Sequence, residues 1–344
     1  LFFITLFFNV YHNSPISDID NYSRFIAVLP LYFLFREITL KSEDFIKVLV
    51  ITSIATFILS SYLYFLNNPN LDRITGLTDL SITFGNMVMT IFAFLLVSLF
   101  EKTSIGTRLL ILLALVCAAL SWSFTMTKGS LIGLFFVLIY VVFSTSFAKN
   151  KAYLTYGIVI MLLLLQFTPA NHAFDKFIND MRYVSQQELS EVYKDKKISF
   201  STKERIYLLI NAKEIIVANP FTGIGGSKDF KKYIADRTYE DNRNYGMAHH
   251  DHAHNDFIDL WAKTGILGFI ALIYFYFINL KIFLKSSTQK ENNFFIKIGI
   301  ATLLSQFGYM LTQTQLAHHQ PTLFFLVILI IMSSQITNIK NKKS

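Results

Sequence analysis

His249-His250-Asp251-His252-Ala253-His254-Asn255-Asp256 is the stretch on which the interpretation of this chain depends, because a long apolar run follows it almost at once. That run begins at Gly265, and an apolar run of about 20 residues predicts a membrane-spanning helix. Four of the eight histidines of the chain therefore lie where it enters the bilayer. Ionisable groups are costly there unless a water-filled site uses them, so chemistry is expected here first.

The composition predicts an all-α polytopic membrane protein. The 344 residues are 53% hydrophobic and include 35 Phe and 17 Tyr, and the mean hydropathy is +0.45. A soluble domain cannot bury that much apolar surface. The single cysteine, Cys117, lies inside an apolar run, which excludes an intramolecular disulfide. Because an apolar segment is already under way at Leu1, we expect the chain to begin inside a truncated transmembrane helix.

Apolar segments predict ten membrane-spanning helices, separated by one long polar segment. The predicted spans are 1–10, 22–35, 45–66, 80–100, 107–126, 129–147, 152–168, 265–284, 294–315 and 320–337. The chain then divides into N-terminal transmembrane helices over 1–168, a loop domain with short helices over 169–263, and C-terminal transmembrane helices with a basic tail over 264–344.

The distribution of basic residues predicts the orientation of these spans. Fourteen lie in loops on one face, whereas the opposite short loops hold only Arg24, Arg73 and Lys128. The fourteen are Arg36, Lys41, Lys47, Lys102, Arg108, Lys149, Lys151, Lys281, Lys285, Lys290, Lys297, Lys340, Lys342 and Lys343. The face rich in Lys and Arg is expected to be cytoplasmic, which places the 169–263 segment outside. In that segment fourteen basic and fourteen acidic residues cancel, which argues against a nucleic-acid partner despite the net charge of +8.

The sequence predicts where one helix of the 169–263 segment begins and where it ends. Ser201-Thr202-Lys203-Glu204 matches a capping box, in which Glu204 reaches back to the first turn. Apolar residues follow at helical spacing, Pro220 ends the helix, and Gly223-Ile224-Gly225-Gly226 makes the following turn. Arg205 lies in the first turn of this helix.

The histidine cluster has three interpretations. His250, His252 and His254 alternate, so together with Asp251 or Asp256 they could hold zinc. Against zinc, the stretch has no helical H-E-x-x-H spacing and no distant cysteine ligand. An imidazole with a pKa near 6.5 can instead take a hydroxyl proton as a general base. A solvated polar loop is the third interpretation.

The lone basic residues of the outer face also have ordinary explanations. Lys128 lies between two apolar spans, where a lysine often anchors a helix by extending its ammonium group to the interface. Arg73 could pair with Asp72, and Arg205 could be a solvated residue of an amphipathic helix.

A combination of motifs resembles the O-antigen ligase/polymerase superfamily. His254-Asn255, followed by Thr264-Gly265-Ile266-Leu267-Gly268, is similar to the signature of that family. Four further pieces fit in order, and they are 72–76, 125–128, 203–207 and 219–225. Each motif is weak alone, and the resemblance rests on their order over residues 70–340.

The resemblance implies a lipid-dependent glycosyltransferase (GT-C-like) helical bundle with one large periplasmic loop. It further implies a bacterial inner-membrane protein whose active site faces the periplasm. The donor would be a glycan carried on undecaprenyl diphosphate, with no other cofactor and no metal, and the acceptor of a ligase would be lipid A–core. Membrane lipids are the remaining expected partners.

The resemblance also assigns roles to residues of this chain. His254 would be the general base, and Arg205, Lys128 and Arg73 would bind the diphosphate. His252, Asn255 and Asp256 would contact the acceptor or orient the base. We expect His249 and His250 to be dispensable.

Two positions depart from the family. Most members carry Arg where this chain has Lys128, which keeps the charge and loses the bidentate fork. Many carry Glu where this chain has Lys263, and the role of that position stays open.

The compact 169–263 segment and its H-x-H-N cluster resemble those of ligases more closely, which favours an inverting, metal-independent O-antigen ligase. An O-antigen polymerase or a protein O-oligosaccharyltransferase would use the same diphosphate site and base, so the motifs do not separate them. A membrane transporter is the alternative from another class, and it would place charges within the spans. The span interiors are nearly free of charge here, which favours chemistry at the outer surface of the membrane.

Overall fold

The computed structural model describes residues 1–66, 73–78, 80–101, 103–143, 170–185, 197–240, 249–286 and 293–341. All regular structure within these ranges is helical. Among the described residues, five helices are long and apolar enough to cross a membrane, and they are Ser42–Phe65, Ser81–Ser98, Ile105–Thr125, Asp256–Ser286 and His319–Thr337. Shorter apolar helices span Phe2–Tyr11, Ser130–Phe143 and Phe294–Met310. The predicted all-α polytopic membrane fold is confirmed; the span predicted at 152–168 lies outside the described residues.

The chain forms two compact units, and each is discontinuous in sequence. The first unit contains Leu1–Ala27, Asp175–Ile278 and Met310–Thr322, and the second contains Val28–Phe174, Asn279–Tyr309 and Leu323–Ser344. The division into 1–168, 169–263 and 264–344 stays a prediction, because internal contacts do not locate a membrane.

Three spans of the second unit, Ser42–Phe65, Ser81–Ser98 and Ile105–Thr125, pack against one another. One hydrogen bond joins the first and third of them, because Ser53 Oγ donates to the Ala114 carbonyl at 2.6 Å. Gly133 allows a close helix approach, because a Cβ at this position would collide with the Tyr309 ring. Small residues commonly permit such close packing between membrane helices.

The predicted span at 22–35 is wrong. Two short helices, Asp20–Ala27 and Leu29–Glu37, occupy this stretch instead. Pro30 lies in the first turn of the second helix, where its missing N–H is tolerated. Within a continuous helix the proline ring would clash with the carbonyl four residues earlier, so the helix is interrupted at Val28.

The predicted span at 294–315 is too long by five residues, because its helix ends at Met310. Residues 311–318 form turns rather than helix, and we call them the 311–318 segment. The carboxylate of Asp256 accepts hydrogen bonds from the backbone N–H groups of Gln315 at 2.7 Å and Leu316 at 3.1 Å. These contacts hold the segment outside a helical path.

A small apolar core lies in the first unit, formed by residues of the Phe200–Ala218, Ser227–Glu240 and Asp256–Ser286 helices together with Ala253. The Ala170–Val184 helix precedes them in the chain. The buried core residues are Tyr207, Leu208, Ala212, Ile215, Phe230, Ile234, Ala253 and Ala262. Because Ala253 belongs to this core, the histidine turn is built on packed structure.

Gly265 divides the Asp256–Ser286 helix by a backbone kink with φ of 66°. Across the kink, Ile266 N donates to the Pro220 carbonyl at 2.9 Å, while Ile224 N donates to the Ala262 carbonyl at 3.0 Å. A continuous helix would instead join Ile266 N to Ala262 O, so the two chain segments have exchanged partners. A Cβ on Gly265 would collide with the Phe221 carbonyl, which explains why glycine is needed at this position.

Candidate active site

His254 adopts the left-handed backbone conformation, with φ of 53°. Such a conformation costs a non-glycine residue about 1–3 kcal/mol unless its surroundings hold it. Hydrogen bonds of the residues on both sides of His254 hold its backbone in this conformation. The Ala253 N–H donates to Asp259 Oδ1 at 2.8 Å, and Asn255 Oδ1 accepts from the N–H groups of Phe257 and Ile258 at 3.0 and 3.1 Å. Asn255 is therefore the N-cap of the Asp256–Ser286 helix.

The 311–318 segment is fastened to the same turn. Asn255 Nδ2 donates to the Leu311 carbonyl at 3.0 Å, and the buried Asp256 carboxylate binds the Gln315 and Leu316 amides. Through these contacts Asn255 and Asp256 join the 311–318 segment to the turn that carries His254. They also carry Gln313 to the His254 ring.

The two ring nitrogens of His254 have different surroundings. Nδ1 lies 2.6 Å from Gln313 Oε1. An amide oxygen only accepts hydrogen bonds, so Nδ1 carries the proton and Nε2 carries the lone pair. Nε2 is buried and has no hydrogen-bond partner among the described residues. This is the arrangement that a general base requires.

The other imidazoles of the cluster lie close to His254. Ring centroids are 4.6 Å apart for His252 and His254, 5.4 Å for His250 and His254, and 5.5 Å for His252 and His318. Burial, followed by the neighbouring positive groups, lowers the pKa of His252 well below 6.5. His249 is exposed at the start of the stretch.

The predicted capping box at Ser201–Glu204 is wrong. The helix begins at Phe200, and Asp180 of another helix accepts from the Ser199 N–H at 3.0 Å and from Thr202 Oγ1 at 2.7 Å. Because Asp180 supplies the capping carboxylate, Glu204 is free to point elsewhere. It accepts a hydrogen bond from His250 Nε2 at 2.5 Å.

Arg205 presents a half-buried guanidinium whose charge acts on both Glu204 and His254. Burial lowers the pKa of Arg205, and the charge of Glu204 acts in the opposite direction. Within the part of the chain that the structure describes, no hydrogen bond or ion pair engages this side chain. A partly desolvated cation of this kind is suited to bind an anion.

The electrostatics keep His254 neutral and Glu204 ionised. Burial lowers the pKa of His254 to about 4; the Gln313 hydrogen bond opposes this shift, and the charge of Arg205 adds to it. Burial alone would raise the pKa of Glu204, but the hydrogen bond from His250 and nearby positive charge outweigh it, so that pKa is lowered. At neutral pH the lone pair on His254 is available.

Lys263, whose role the sequence left open, forms a buried ion pair. Its Nζ lies 2.8 Å from Asp259 Oδ2 and 3.1 Å from Ser227 Oγ, and 5.5 Å from the centroid of the Phe230 ring. Asp259 in turn holds the Ala253 N–H. Lys263 therefore stabilises the histidine turn through Asp259.

The zinc set considered from the sequence does not assemble. Asp256 is occupied by backbone amides, and Asp251 Oδ1 lies 3.8 Å from His252 Nε2. Donor atoms of Glu204, His250 and His254 do lie within 4.8 Å of one another. That set is chemically suited to a transition metal, whereas the charge of Arg205, which acts on both Glu204 and His254, would oppose a second cation there.

Arg73 and Lys128 belong to the second unit. Arg73 Nε donates to the Thr125 carbonyl at 3.0 Å, and Ile74 N donates to the Phe124 carbonyl at 3.3 Å. The Arg73 segment thus contacts the end of the helix that precedes Lys128. Arg205 and His254 lie in the first unit, and Asp72 lies outside the described residues.

Comparison with known proteins agrees with the motifs. Residues 113–273 match the O-antigen ligase family. An uncharacterized protein of Haemophilus influenzae is 23% identical over 338 residues, which cover 94% of this chain and 81% of the relative. The resemblance to the O-antigen ligase superfamily is confirmed, and it supports a ligase- or polymerase-type function. The matched region contains Lys128, Arg205 and His254 and ends before Gln313.

Four residues of the site were not predicted from the sequence: Glu204, Asp259, Gln313 and His318. Glu204 is part of the predicted capping box, and Gln313 lies inside the span predicted at 294–315. The polar stretch from Thr312 to Gln315, two residues before His318, is the signal that could have revealed the 311–318 segment.

Proposed function

We propose that this protein is an O-antigen ligase that transfers a glycan from undecaprenyl diphosphate to a sugar hydroxyl of lipid A–core. The reaction takes place at the periplasmic face of the bacterial inner membrane, inverts the anomeric centre and uses no metal. The fold is a GT-C-like bundle, and the 169–263 segment lies in the periplasm.

One observation carries this proposal: Nε2 of His254 is buried and has no hydrogen-bond partner among the described residues, and the charge of the half-buried Arg205 guanidinium acts on the same ring. A sugar diphosphate is already an activated donor, so the reaction needs a base for the acceptor and a cation for the leaving group. His254 and Arg205 supply these two groups. The O-antigen ligase match over 113–273 supports the choice of substrate class.

The transfer balances as a single displacement. The acceptor oxygen attacks the anomeric carbon and loses its proton to His254 Nε2. The bond from that carbon to the phosphate oxygen breaks, and undecaprenyl diphosphate leaves with the electron pair. Arg205 neutralises the charge that develops on the leaving oxygens. Because attack is direct, the anomeric configuration inverts.

Further residues act around this step. Lys128 and Arg73 are proposed as additional diphosphate ligands, on the strength of the family resemblance. Asn255 and Asp256 orient His254 through the turn and the 311–318 segment, and His252 lies beside the base, where it can contact the acceptor.

The orientation is tested by labelling with a membrane-impermeant thiol reagent. Lys228 and Lys285 are both exposed, and a cysteine at each can be compared in a background where the buried Cys117 is replaced by serine. We expect Lys228→Cys to be labelled from the periplasm and Lys285→Cys only after the membrane is permeabilised. The reverse pattern would overturn the proposed orientation.

The activity is tested with purified protein in lipid nanodiscs, a lipid-linked glycan and three acceptors. Lipopolysaccharide core that gains the glycan supports the ligase. Lengthening of the lipid-linked glycan indicates a polymerase, and a glycosylated acceptor protein indicates an oligosaccharyltransferase. No new glycosidic bond, with glycan movement across the bilayer, indicates a transporter. Activity should persist within a few fold in EDTA; loss that one specific divalent ion restores would contradict the metal-free proposal.

A further inference from the structure

The side-chain amide of Gln313 lies between two imidazoles. Its Oε1 is 2.6 Å from His254 Nδ1, and its Nε2 is 3.2 Å from His318 Nε2. Gln313 itself is buried, with 2% of its surface exposed. The three side chains therefore form a short hydrogen-bonded series that ends at Nε2 of His254, an atom with no hydrogen-bond partner in the part of the chain that the structure describes.

The direction of the hydrogen bonds in this series decides whether His254 can act as a base. An amide nitrogen only donates and an amide oxygen only accepts. With Nε2 of Gln313 donating to His318, its oxygen accepts from His254 Nδ1, and the His254 lone pair is on Nε2. If the amide were reversed, its nitrogen would donate to His254 Nδ1. The ring proton would then move to Nε2, which could no longer accept a proton.

We infer that Gln313 and His318 are positioning residues: by accepting a hydrogen bond from Gln313, His318 fixes the amide in the orientation that keeps the His254 lone pair on Nε2. This inference rests on the proposed function for its catalytic consequence. The hydrogen-bond geometry stands without it.

Several charged or titratable groups face His254 besides this series. They are Glu204 and Arg205 from the Phe200–Ala218 helix and His250 and His252 from the histidine stretch. Neither Glu204 nor Arg205 contacts the Gln313 amide in the hydrogen bonds of the described residues. Substitution of His318 therefore changes the amide contact while both groups are retained.

Substitutions at His318 test the direction of the series. A carboxylate only accepts, so His318→Glu should keep at least half of the wild-type turnover. A guanidinium only donates, so His318→Arg should reverse the amide and reduce turnover by about 10²–10⁴-fold, the usual cost of losing a general base. His319 is the exposed neighbour, and His319→Glu and His319→Arg control for added charge.

A double variant separates hydrogen-bond direction from simple misfit. In Gln313→Glu the side chain accepts from both sides, so it keeps the His254 tautomer whichever donor lies at position 318. We expect Gln313→Glu to restore most of the turnover that His318→Arg loses, whereas Gln313→Ala should restore none. A steric defect caused by the larger side chain would not be rescued. Equal loss in both His318 variants, or full activity in His318→Arg, would overturn the inference.

A chemical readout keeps this inference separable from the proposed function. Diethyl pyrocarbonate acylates the neutral imidazole, and mass spectrometry of the His254 peptide gives the pH midpoint of its reaction without any turnover. A new carboxylate within hydrogen-bond distance should raise the midpoint in Gln313→Glu by about 1–3 pH units relative to wild type. An unchanged midpoint would refute the contact. Absence of glycan transfer in wild type, together with the shifted midpoint, would refute the proposed function alone.

Discussion

Glu204 accepts a hydrogen bond from Nε2 of His250 at 2.5 Å, although 46 residues separate them in the chain. Both side chains are largely buried, with 16% and 23% of their surfaces exposed. The contact joins the helix that carries Arg205 to the turn that carries His254. It therefore links the proposed anion ligand to the proposed base.

Glu204 and His250 should behave as one unit on substitution. Glu204→Gln keeps the shape and removes the charge, and a hydrogen bond to a charged group contributes roughly 1.5–3 kcal/mol, so turnover should fall about 10- to 150-fold. His250→Ala should cost a similar factor, and the double variant little more. This differs from the expectation that His250 is dispensable. Glu214→Gln is the control. Glu214 lies on the same helix as Glu204, and it forms an exposed ion pair with Arg237 of the Ser227–Glu240 helix. Additive losses would mean that the two side chains act separately.

His254→Ala should reduce glycan transfer by about 10²–10⁴-fold, because it removes the general base. The variant should still insert into the membrane, since Asn255 and Asp259 hold the turn by contacts other than the imidazole ring. Turnover is measured at matched amounts of folded protein. His249→Ala, at the exposed start of the stretch, should retain wild-type activity. Comparable losses in both variants would indicate a defect of the whole stretch.

The pH dependence of kcat/KM should report the low pKa of His254. Its neutral form is the active one, and burial lowers its pKa from 6.5 to about 4, so acidification inactivates this group only as the pH approaches 4. The expected profile stays level through pH 6.5 and declines below pH 5. The pH dependence of the residual kcat/KM of His254→Ala shows the contribution from ionisation of the donor. Half-loss near pH 6.5 would contradict a buried, neutral imidazole.

Lys263→Ala should destabilise the fold, because it leaves the buried Asp259 carboxylate without its counter-ion. Breaking such a pair typically costs about 3–5 kcal/mol. The double change Asp259→Asn with Lys263→Met removes both charges and keeps an acceptor for the Ala253 N–H, so it should cost less. Thermal unfolding in detergent measures each effect, with the exposed Lys228→Ala as control. An unchanged unfolding temperature in Lys263→Ala would show that the pair contributes little.

Lys128 should contribute through its charge. If it neutralises a phosphate oxygen, Lys128→Ala should slow transfer by about 10- to 150-fold, whereas Lys128→Arg keeps the charge and adds a fork suited to phosphate. If Lys128 only anchors the helix, Lys128→Ala should alter insertion and leave the activity of each folded molecule unchanged. Donor turnover at matched folded protein distinguishes the two.

The sequence predicted the all-α membrane fold and singled out the histidine stretch, because apolar length and local motifs carry that information. The helix at Ser42–Phe65 and the apolar run that begins at Gly265 follow from residues close together in the chain, whereas the kink at Gly265 inside a helix that begins at Asp256 was not predicted. The contacts of Gln313 and Glu204 do not. Asp256 captures the 311–318 segment from about 60 residues away, and Asp180 replaces Glu204 as the cap. Neither competition is visible in a local pattern.

The kink at Gly265 also fixes the number of residues that can separate His254 from Gly265. One end of the interval is held where Asp259 and Asn255 fasten the His254 turn, and the other where Gly265 meets the Phe221 carbonyl. One inserted residue would rotate everything beyond it by about 100° and advance it by about 1.5 Å. The imidazole or the glycine would then miss its counterpart. Segments that tolerate changes in length must therefore lie outside this interval, and a relative with a different spacing between its histidine and its glycine should have a differently built site.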